Sequence, residues 1–241
     1  MKIIYQGSLP KQPGEEKANE DSFAFSTKNK ALVLCDGASE SYNSKLWAEL
    51  LCESFLNDSD LDDEWIIKNI KKYFASHDLG SMTWSQLSAF QRGSFSTFTT
   101  FQVYNDEIKI RLFGDSFIFF FARKNGIYHY IPTFDIPDFH ENPTLISTRI
   151  DLNADINFKE NNQKNYFSFN LSDDLDQVIA ICATDALADW FSRAMKVVEH
   201  DKLVNIFLTI NDRKLKRLVS FCRKRGTLKI DDTTLIIAEI K

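Results

Sequence analysis

The sequence contains few of the residues that mark small cross-linked or segmented proteins. It has 8 glycines, 5 prolines and 4 cysteines in 241 residues. Cys35, Cys52, Cys182 and Cys222 lie in apolar stretches without CxxC spacing, which is typical of small core residues in a reducing compartment rather than of zinc ligands or disulfides. No stretch rich in glycine, proline or serine separates two regions, so we predict a single domain spanning residues 1–241.

Long hydrophobic runs are also missing. The longest apolar stretches, such as 118–122 and 178–183, are far too short to span a bilayer, and the N-terminus lacks the apolar segment of a signal peptide. We therefore expect a cytoplasmic protein with no membrane partner. The 29 Lys and Arg against 34 Asp and Glu give a net charge of −5, which argues against a nucleic-acid partner. The basic run 213–225 has interleaved apolar residues and predicts an amphipathic helix with a solvated basic face.

What the sequence does contain is an unbroken apolar run, residues 31–35, that ends in Asp36 and Gly37. The run is typical of a strand buried on both faces, and packing does not explain a carboxylate at its exit. A polar turn at 28–30 predicts a hairpin with the preceding segment, and antiparallel pairing then brings Glu20, Asp21 and Asp36 to the same end of the sheet. Close carboxylates repel one another unless a cation lies between them, and hard divalent ions prefer oxygen ligands. The alternative is that these acids are solvated residues of two ordinary turns.

Helical spacing of apolar residues predicts helices near 45–56, 62–77 and 82–90. From residue 94 the apolar period changes to two, and the segments 94–104, 108–113, 117–122 and 127–131 predict an antiparallel meander. The meander returns Asp115 to the end that holds Asp36, although an ordinary turn role for Asp115 is the alternative.

A second buried apolar run, 178–184, ends in Asp185, with Asp189 one helical turn later. After further predicted helices the chain closes with a strand that Asp231 and Asp232 introduce. This strand reaches the same end of the sheet if it is antiparallel to the run before Asp185. Residues 132–177 are less regular, and we interpret them, including the polar stretch 159–165, as a surface hairpin or flap.

Six segments resemble motifs of the protein phosphatase 2C family of metal-dependent Ser/Thr phosphatases, in the family's order: Asn19–Ser22, Cys35–Ser39, Gly93–Thr97, Phe113–Ser116, Thr184–Ala186 and Asp231–Leu235. Each motif is weak alone, but together they span residues 19 to 235. The resemblance implies an α+β fold: a four-layer αββα sandwich of two antiparallel β-sheets flanked by antiparallel helices. It also implies a dinuclear Mn²⁺ or Mg²⁺ site at one end of the sandwich, with a third, weaker metal site in many members.

The resemblance also implies roles for single residues. Asp36 resembles the carboxylate that bridges both metals, Gly37 supplies a carbonyl ligand, and Asp185 and Asp231 resemble the carboxylates of the first metal. In the same way, Glu20 and Asp21 match acids that hold or orient metal-bound waters, and Asp115 and Asp189 match the pair that binds the third metal. The four histidines fall outside every motif, so a Ser-His or Cys-His mechanism has no support.

The sequence departs from the family pattern at the phosphate clamp. Family members usually carry an Arg shortly before the Glu-Asp pair, whereas this chain has Glu16 followed by Lys17. We therefore take Lys17 as the candidate cation for the substrate phosphate. The Gly-rich piece that usually follows the first Asp-Gly is replaced by residues 38–41. The family's later Asp-Gly pair is Asp185-Ala186 in this chain, so Ala186 replaces the glycine.

Three functions are consistent with this pattern. The first is a metal-dependent phosphoprotein (Ser/Thr) phosphatase that hydrolyses phosphate monoesters by attack of a metal-bridging water. Its partners would be a phosphorylated protein substrate and, as a further candidate, a cognate Ser/Thr kinase. The second is a catalytically weak or silent phosphatase-like module that binds a phosphorylated partner or regulates a kinase. The third is a hydrolase of small phosphate esters.

Overall fold

A computed structural model describes residues 1–154, 156, 158, 165–172 and 174–241. The strands are β1 (Lys2–Leu9), β2 (Asp21–Ser26), β3 (Ala31–Asp36), β4 (Phe95–Ser96), β5 (Phe98–Tyr104), β6 (Glu107–Phe113), β7 (Phe117–Lys124), β8 (Ile127–Ile131), β9 (Ile146–Ser147), β10 (Tyr166–Asn170), β11 (Gln177–Ala183) and β12 (Thr233–Glu239). The helices are α1 (Ser44–Asn57), α2 (Asp63–Ala75), α3 (Trp84–Arg92), α4 (Asp185–Met195), α5 (His200–Leu208) and α6 (Asp212–Lys224).

The strands form two five-stranded antiparallel sheets. One has the order β1-β12-β11-β7-β8 and the other the order β10-β6-β5-β3-β2, while β4 and β9 make a separate short ladder. Side-chain alternation in β3 shows how the layers stack: Leu32 and Leu34 point between the two sheets, whereas Val33 and Cys35 point to α1 and α2. The outer face of the other sheet packs against α4, α5 and α6. The expected four-layer αββα sandwich is confirmed.

Several local predictions are also confirmed. β2 and β3 form the expected hairpin, β11 and β12 are antiparallel neighbours, and residues 213–224 lie in the amphipathic α6. All four cysteines are free and buried. In the described ranges no helix combines the length and apolar character needed to cross a bilayer. Most of the polar stretch 159–165, which we interpret as part of a flap, lies outside the described residues.

The predicted four-strand meander is wrong. β5 pairs with β6 in one sheet and β7 pairs with β8 in the other, so the chain crosses between the sheets at residues 114–116. Two physical features account for this crossing. β7 is apolar on both faces, with Phe117 to Phe121 fully buried, and needs the central place it has between β11 and β8. Gly114 has a φ of +103° and lies directly against Thr97. This contact folds the turn onto the sheet, so the turn does not close a hairpin.

Candidate metal centre

The centre of the site is the end of the β2–β3 hairpin. Asp21 and Asp36 are direct partners in the antiparallel register, as the sequence predicts. The backbone of Asp36 is fixed by Thr97: the Asp36 N–H donates to Thr97 Oγ1 (2.8 Å), and the Thr97 N–H donates to the Asp36 carbonyl (2.9 Å). Asp36 is therefore held in place by its backbone, and its side chain is left for another role.

Gly37 follows at a point where the backbone leaves no room for a side chain. Its N–H donates to the Glu20 carbonyl (3.3 Å), and it forms an isolated bridge with Ser96. A Cβ at this position would lie 2.9 Å from the backbone carbonyl of Ser44 and 3.0 Å from the Glu20 carbonyl oxygen. Glycine is therefore required here for close packing of three chain segments.

Asp21 connects the two sheets. Its Oδ2 accepts hydrogen bonds from Thr234 Oγ1 (2.6 Å), in β12 of the opposite sheet, and from Thr184 Oγ1 (3.2 Å), just after β11 of that sheet. Its Oδ1 is buried and has no hydrogen-bond donor within the described ranges. Burial, together with the charges of Asp232 and Asp185, raises the pKa of Asp21 to about 8 even though the threonine hydrogen bonds oppose the shift. Thr184 and Thr234 lie in the same two family-like segments as Asp185 and Asp231, and both donate to the carboxylate of Asp21.

Five carboxylates share this end of the sandwich, and we call them the acidic rim: Asp21, Asp36, Asp115, Asp185 and Asp231. Burial raises the pKa of Asp36 well above its ordinary value, and the other four rim charges raise it further. Burial and the charge of Asp185 raise the pKa of Asp115 to about 6. The structure thus brings together five of the residues that the sequence places in one site.

A lysine that the sequence analysis did not identify lies in the acidic rim. Lys229 Nζ is 2.8 Å from Asp185 Oδ2 and 2.8 Å from Asp231 Oδ2. Burial acts to lower the pKa of Lys229, but hydrogen bonds and charge from the two carboxylates outweigh it, so the pKa is raised. The available sequence signal was a cation two residues before Asp231.

Asp189 has a different partner from the one the resemblance implies. It lies on α4 and forms a two-pronged ion pair with Arg193, with contacts of 3.1 and 2.8 Å. The charges that act most strongly on Asp115 are those of Asp185, Lys229 and Asp231. The structure therefore does not show an Asp115–Asp189 pair.

Glu20 lies beside the acidic rim with its carboxylate engaged elsewhere. Its Oε1 accepts from Ser44 Oγ (2.5 Å), and its Oε2 is 3.4 Å from Lys11 Nζ. Asp232, which the sequence left without a role, accepts from the backbone N–H groups of Lys11 (2.7 Å) and Glu20 (2.8 Å). Asp232 therefore orders the loop that carries Glu20.

Two further cations surround this loop. Lys17 is exposed on a single 3₁₀ turn, Glu16–Ala18, and its carbonyl accepts from Lys45 Nζ (3.2 Å). Arg223 on α6 donates to the carbonyls of Pro10 (3.1 Å) and Asp231. Arg223 was also missed by sequence reasoning, and it ties the N-terminal loop to the start of β12.

The donor chemistry of the acidic rim fits hard divalent cations. All the side-chain donors are carboxylate oxygens, one of them a buried orphan on Asp21, and the close charges need neutralising. The arrangement is not closed, however: among the described residues no three His, Cys, Asp or Glu side chains are placed as ligands of a single ion.

Comparisons with known proteins support the fold. Neither protein-family models nor curated protein sequences give a match. Among solved structures, the chain is similar to the serine/threonine phosphatase Stp1 from Staphylococcus aureus, at 14% identity and a TM-score of 0.55 over 100% of this chain and 96% of that one.

Two other solved structures are similar over nearly their full length. The catalytic domain of the serine threonine protein phosphatase PstP, solved in complex with 2 manganese ions, gives 13% identity and a TM-score of 0.53 over 99% of both chains. PppA from Pseudomonas aeruginosa, described as a key regulatory component of T6SS, gives 16% identity and 0.51 over 98% of this chain and 97% of that one. This chain therefore has the fold of bacterial Ser/Thr phosphatases.

Proposed function

We propose that this chain is a metal-dependent phosphoprotein (Ser/Thr) phosphatase that forms one catalytic domain over residues 1–241. The observation that carries the proposal is the placement of Asp36: its carboxyl group shares one end of the sandwich with four other carboxyl groups, and burial together with their charges raises its pKa. It has no ion-pair partner among the described residues. Such a cluster is costly without cations. The similar fold of PstP, solved with 2 manganese ions, supports the same interpretation.

The residues of the acidic rim would hold two Mn²⁺ or Mg²⁺ ions. In this proposal Asp36, the Gly37 carbonyl, Asp185 and Asp231 would hold the ions, with Asp36 as the carboxylate common to both. Glu20 and Asp21 would accept hydrogen bonds from water at the site. Asp115 and Asp189 would form the weaker third site once Asp189 is released from Arg193.

When bound, the two cations would supply an activated water and neutralise charge on the phosphoryl oxygens. The chain's own contribution is to orient these groups: Thr97 fixes the backbone of Asp36, and Thr184 and Thr234 fix the carboxylate of Asp21. A cation beside the site would bind the substrate phosphate, and we propose Lys17 for this role. Because a phosphorylated side chain carries about two negative charges, this cation adds affinity that the metals alone do not supply.

The proposed partners are a phosphorylated protein substrate and a cognate Ser/Thr kinase. We also propose that the protein acts in the cytoplasm. Four free, buried cysteines support a reducing compartment, because secreted domains of this size commonly pair such residues.

The proposal is tested by hydrolysis of an aryl phosphate and of a phosphothreonine peptide after treatment with EDTA. We expect no turnover in the chelator and recovery on addition of Mn²⁺ or Mg²⁺. Undiminished turnover in EDTA would refute a dinuclear metal mechanism. Faster turnover of the peptide than of the aryl phosphate would favour a protein substrate over a small phosphate ester.

A second function has its own supporting observation. Lys229 forms ion pairs with both Asp185 and Asp231 and offsets one of their two charges, and no Arg stands before Glu20. A catalytically silent module that binds a phosphorylated partner would have such features. In that case the protein would bind a phosphopeptide with and without Mn²⁺ but would turn over neither substrate.

A further inference from the structure

Lys229 lies in the loop between α6 and β12 and bridges two carboxylates that come from different elements. Asp185 is the first residue of α4, and Asp231 lies just before β12. One ammonium contacts both, at 2.8 Å each. These two residues are the ones assigned above to the first metal, so the inference rests on the proposed function.

The other cations near the acidic rim have different partners. Lys11 contacts Glu20 and Ser39, and Arg193 contacts Asp189. Arg223 donates to backbone carbonyls. In the part of the chain that the structure describes, Lys229 is thus the one cation in an ion pair with two carboxylates of the acidic rim.

The chemistry of lysine suits a replaceable counter-ion. Its ammonium is a compact point charge on a flexible stem, and the Lys229 side chain is 61% exposed, so it can leave without disturbing the core. The Oδ1 atoms of Asp185 and Asp231 accept from the N–H groups of Ala186 and Asp232, so a divalent cation would use the Oδ2 atoms that the ammonium contacts. The two cations therefore compete for one position.

We propose that Lys229 is a built-in counter-ion that holds Asp185 and Asp231 together in the metal-free protein and is displaced when a divalent cation binds. Metal binding at these carboxylates then has to break two ion pairs, whereas Asp36 has no such competitor among the described residues. Lys229 thereby lowers the affinity of the chain for its first metal and makes loading depend on the metal concentration.

The test is Lys229→Met, which keeps the length of the side chain and removes its charge. We expect Mn²⁺ to bind this variant about tenfold more tightly than the parent in titration calorimetry, because two charge-assisted contacts no longer oppose it. The melting temperature in EDTA should fall, and its rise on adding Mn²⁺ should be larger than in the parent. Lys229→Arg, which keeps the charge, should bind Mn²⁺ as the parent does.

Lys196→Met is the matched control, because Lys196 is an exposed lysine at the C-terminal end of α4, away from Asp185 at its N-terminal end, and has no ion pair in the described ranges. It should leave Mn²⁺ affinity unchanged. Equal or weaker Mn²⁺ binding by Lys229→Met than by the parent would overturn the inference.

The same titrations separate this inference from the proposed function. Equal Mn²⁺ affinity in the parent and Lys229→Met, with Mn²⁺-dependent turnover, would overturn the role of Lys229 and leave the phosphatase intact. Tighter Mn²⁺ binding by Lys229→Met, with a parent that hydrolyses nothing, would support the counter-ion and refute the phosphatase. Absence of Mn²⁺ binding by both proteins would refute both.

Discussion

The two halves of the acidic rim differ in whether their carboxylates have a counter-ion from the chain. Asp21 and Asp36, on the β2–β3 half, are partly buried and directly paired, and no ion pair to either is found in the described ranges. Asp185 and Asp231, on the α4–β12 half, share the ammonium of Lys229. Residues of one chemical type therefore occupy two different environments in the same site.

The difference indicates which half depends on an external cation. Burial raises the pKa values of Asp21 and Asp36, so in the metal-free protein these carboxyls keep their protons into a range where exposed acids have lost them. The α4–β12 half has a counter-ion from the chain itself, which offsets one of its two charges. We therefore expect substitutions in the two halves to change the stability of the metal-free protein in opposite directions.

The largest expected effect is that of Asp36→Asn. Loss of the carboxylate assigned to both metals should lower turnover by about 10³-fold or more, which corresponds to about 4 kcal/mol of transition-state stabilisation. The same variant should melt at a higher temperature than the parent in EDTA at pH 8, because it removes a buried acid from a group of like charges. Calorimetry and steady-state kinetics on one preparation measure both.

Asp231→Asn is the comparison variant for this experiment. It should lower the melting temperature in EDTA, because it removes one of the two carboxylates that pair with Lys229. Asp60→Asn, at an exposed position of the α1–α2 turn, should change neither property. An equal rise in melting temperature for Asp36→Asn and Asp231→Asn would show that the two halves do not differ.

The next effect concerns the cation for the substrate phosphate on the β2–β3 half. Lys17→Ala should reduce kcat/KM by roughly 10- to 100-fold, since a charge-assisted hydrogen bond contributes about 1.5 to 3 kcal/mol, and it should leave Mn²⁺ affinity unchanged. Lysine lacks the bidentate fork of the usual Arg, so phosphate binding in the parent should itself be loose.

Lys11→Ala is the matched control, because its ammonium is already engaged by Ser39 (3.0 Å) and Glu20 (3.4 Å). It should affect kcat/KM less than Lys17→Ala does. A value for Lys17→Ala within about twofold of the parent, or a larger loss for Lys11→Ala, would show that Lys17 is not the clamp.

The β2–β3 half could be predicted from the sequence because its geometry is local. A hairpin around a short polar turn fixes the register, and strand parity then places Asp21 opposite Asp36. The buried apolar runs before Asp36 and Asp185 could also be recognised from the sequence. A carboxylate at the exit of such a strand has no packing role, so both residues could be identified as candidates for the site.

The parts that could not be predicted depend on contacts between distant segments. β1 carries no strong alternating pattern and is stabilised as an edge strand by pairing with β12. The crossing at Gly114 depends on Thr97, which packs against it from another element. The position of Lys229 is set by the path of the loop after α6. The spacing of residues along the sequence does not predict that path.

The last prediction concerns the pH dependence of the free energy of unfolding of the metal-free protein. This dependence is set mainly by the carboxyls of the β2–β3 half. The folded-state pKa values of Asp21 (about 8), Asp36 (raised) and Asp115 (about 6) lie above their ordinary values. Between about pH 4 and 8 the folded protein therefore binds more protons than the unfolded chain. The free energy of unfolding must fall as the pH rises through this window, and it levels off above the folded-state pKa values.

Because one pKa unit corresponds to about 1.4 kcal/mol and these carboxyls share their protons, we expect a net loss on the order of 2 kcal/mol between pH 5 and 8. That loss lowers the melting temperature in EDTA by roughly 4–8 °C for a chain of this size. Asp174, whose pKa Lys124 lowers to about 2, titrates below this window and does not interfere.

Asp21→Asn should flatten the dependence of the melting temperature on pH, whereas Asp60→Asn should preserve it. A melting temperature in EDTA that rises from pH 5 to 8 would show that the buried carboxyls are ionised without a cation, and that the β2–β3 half does not need one.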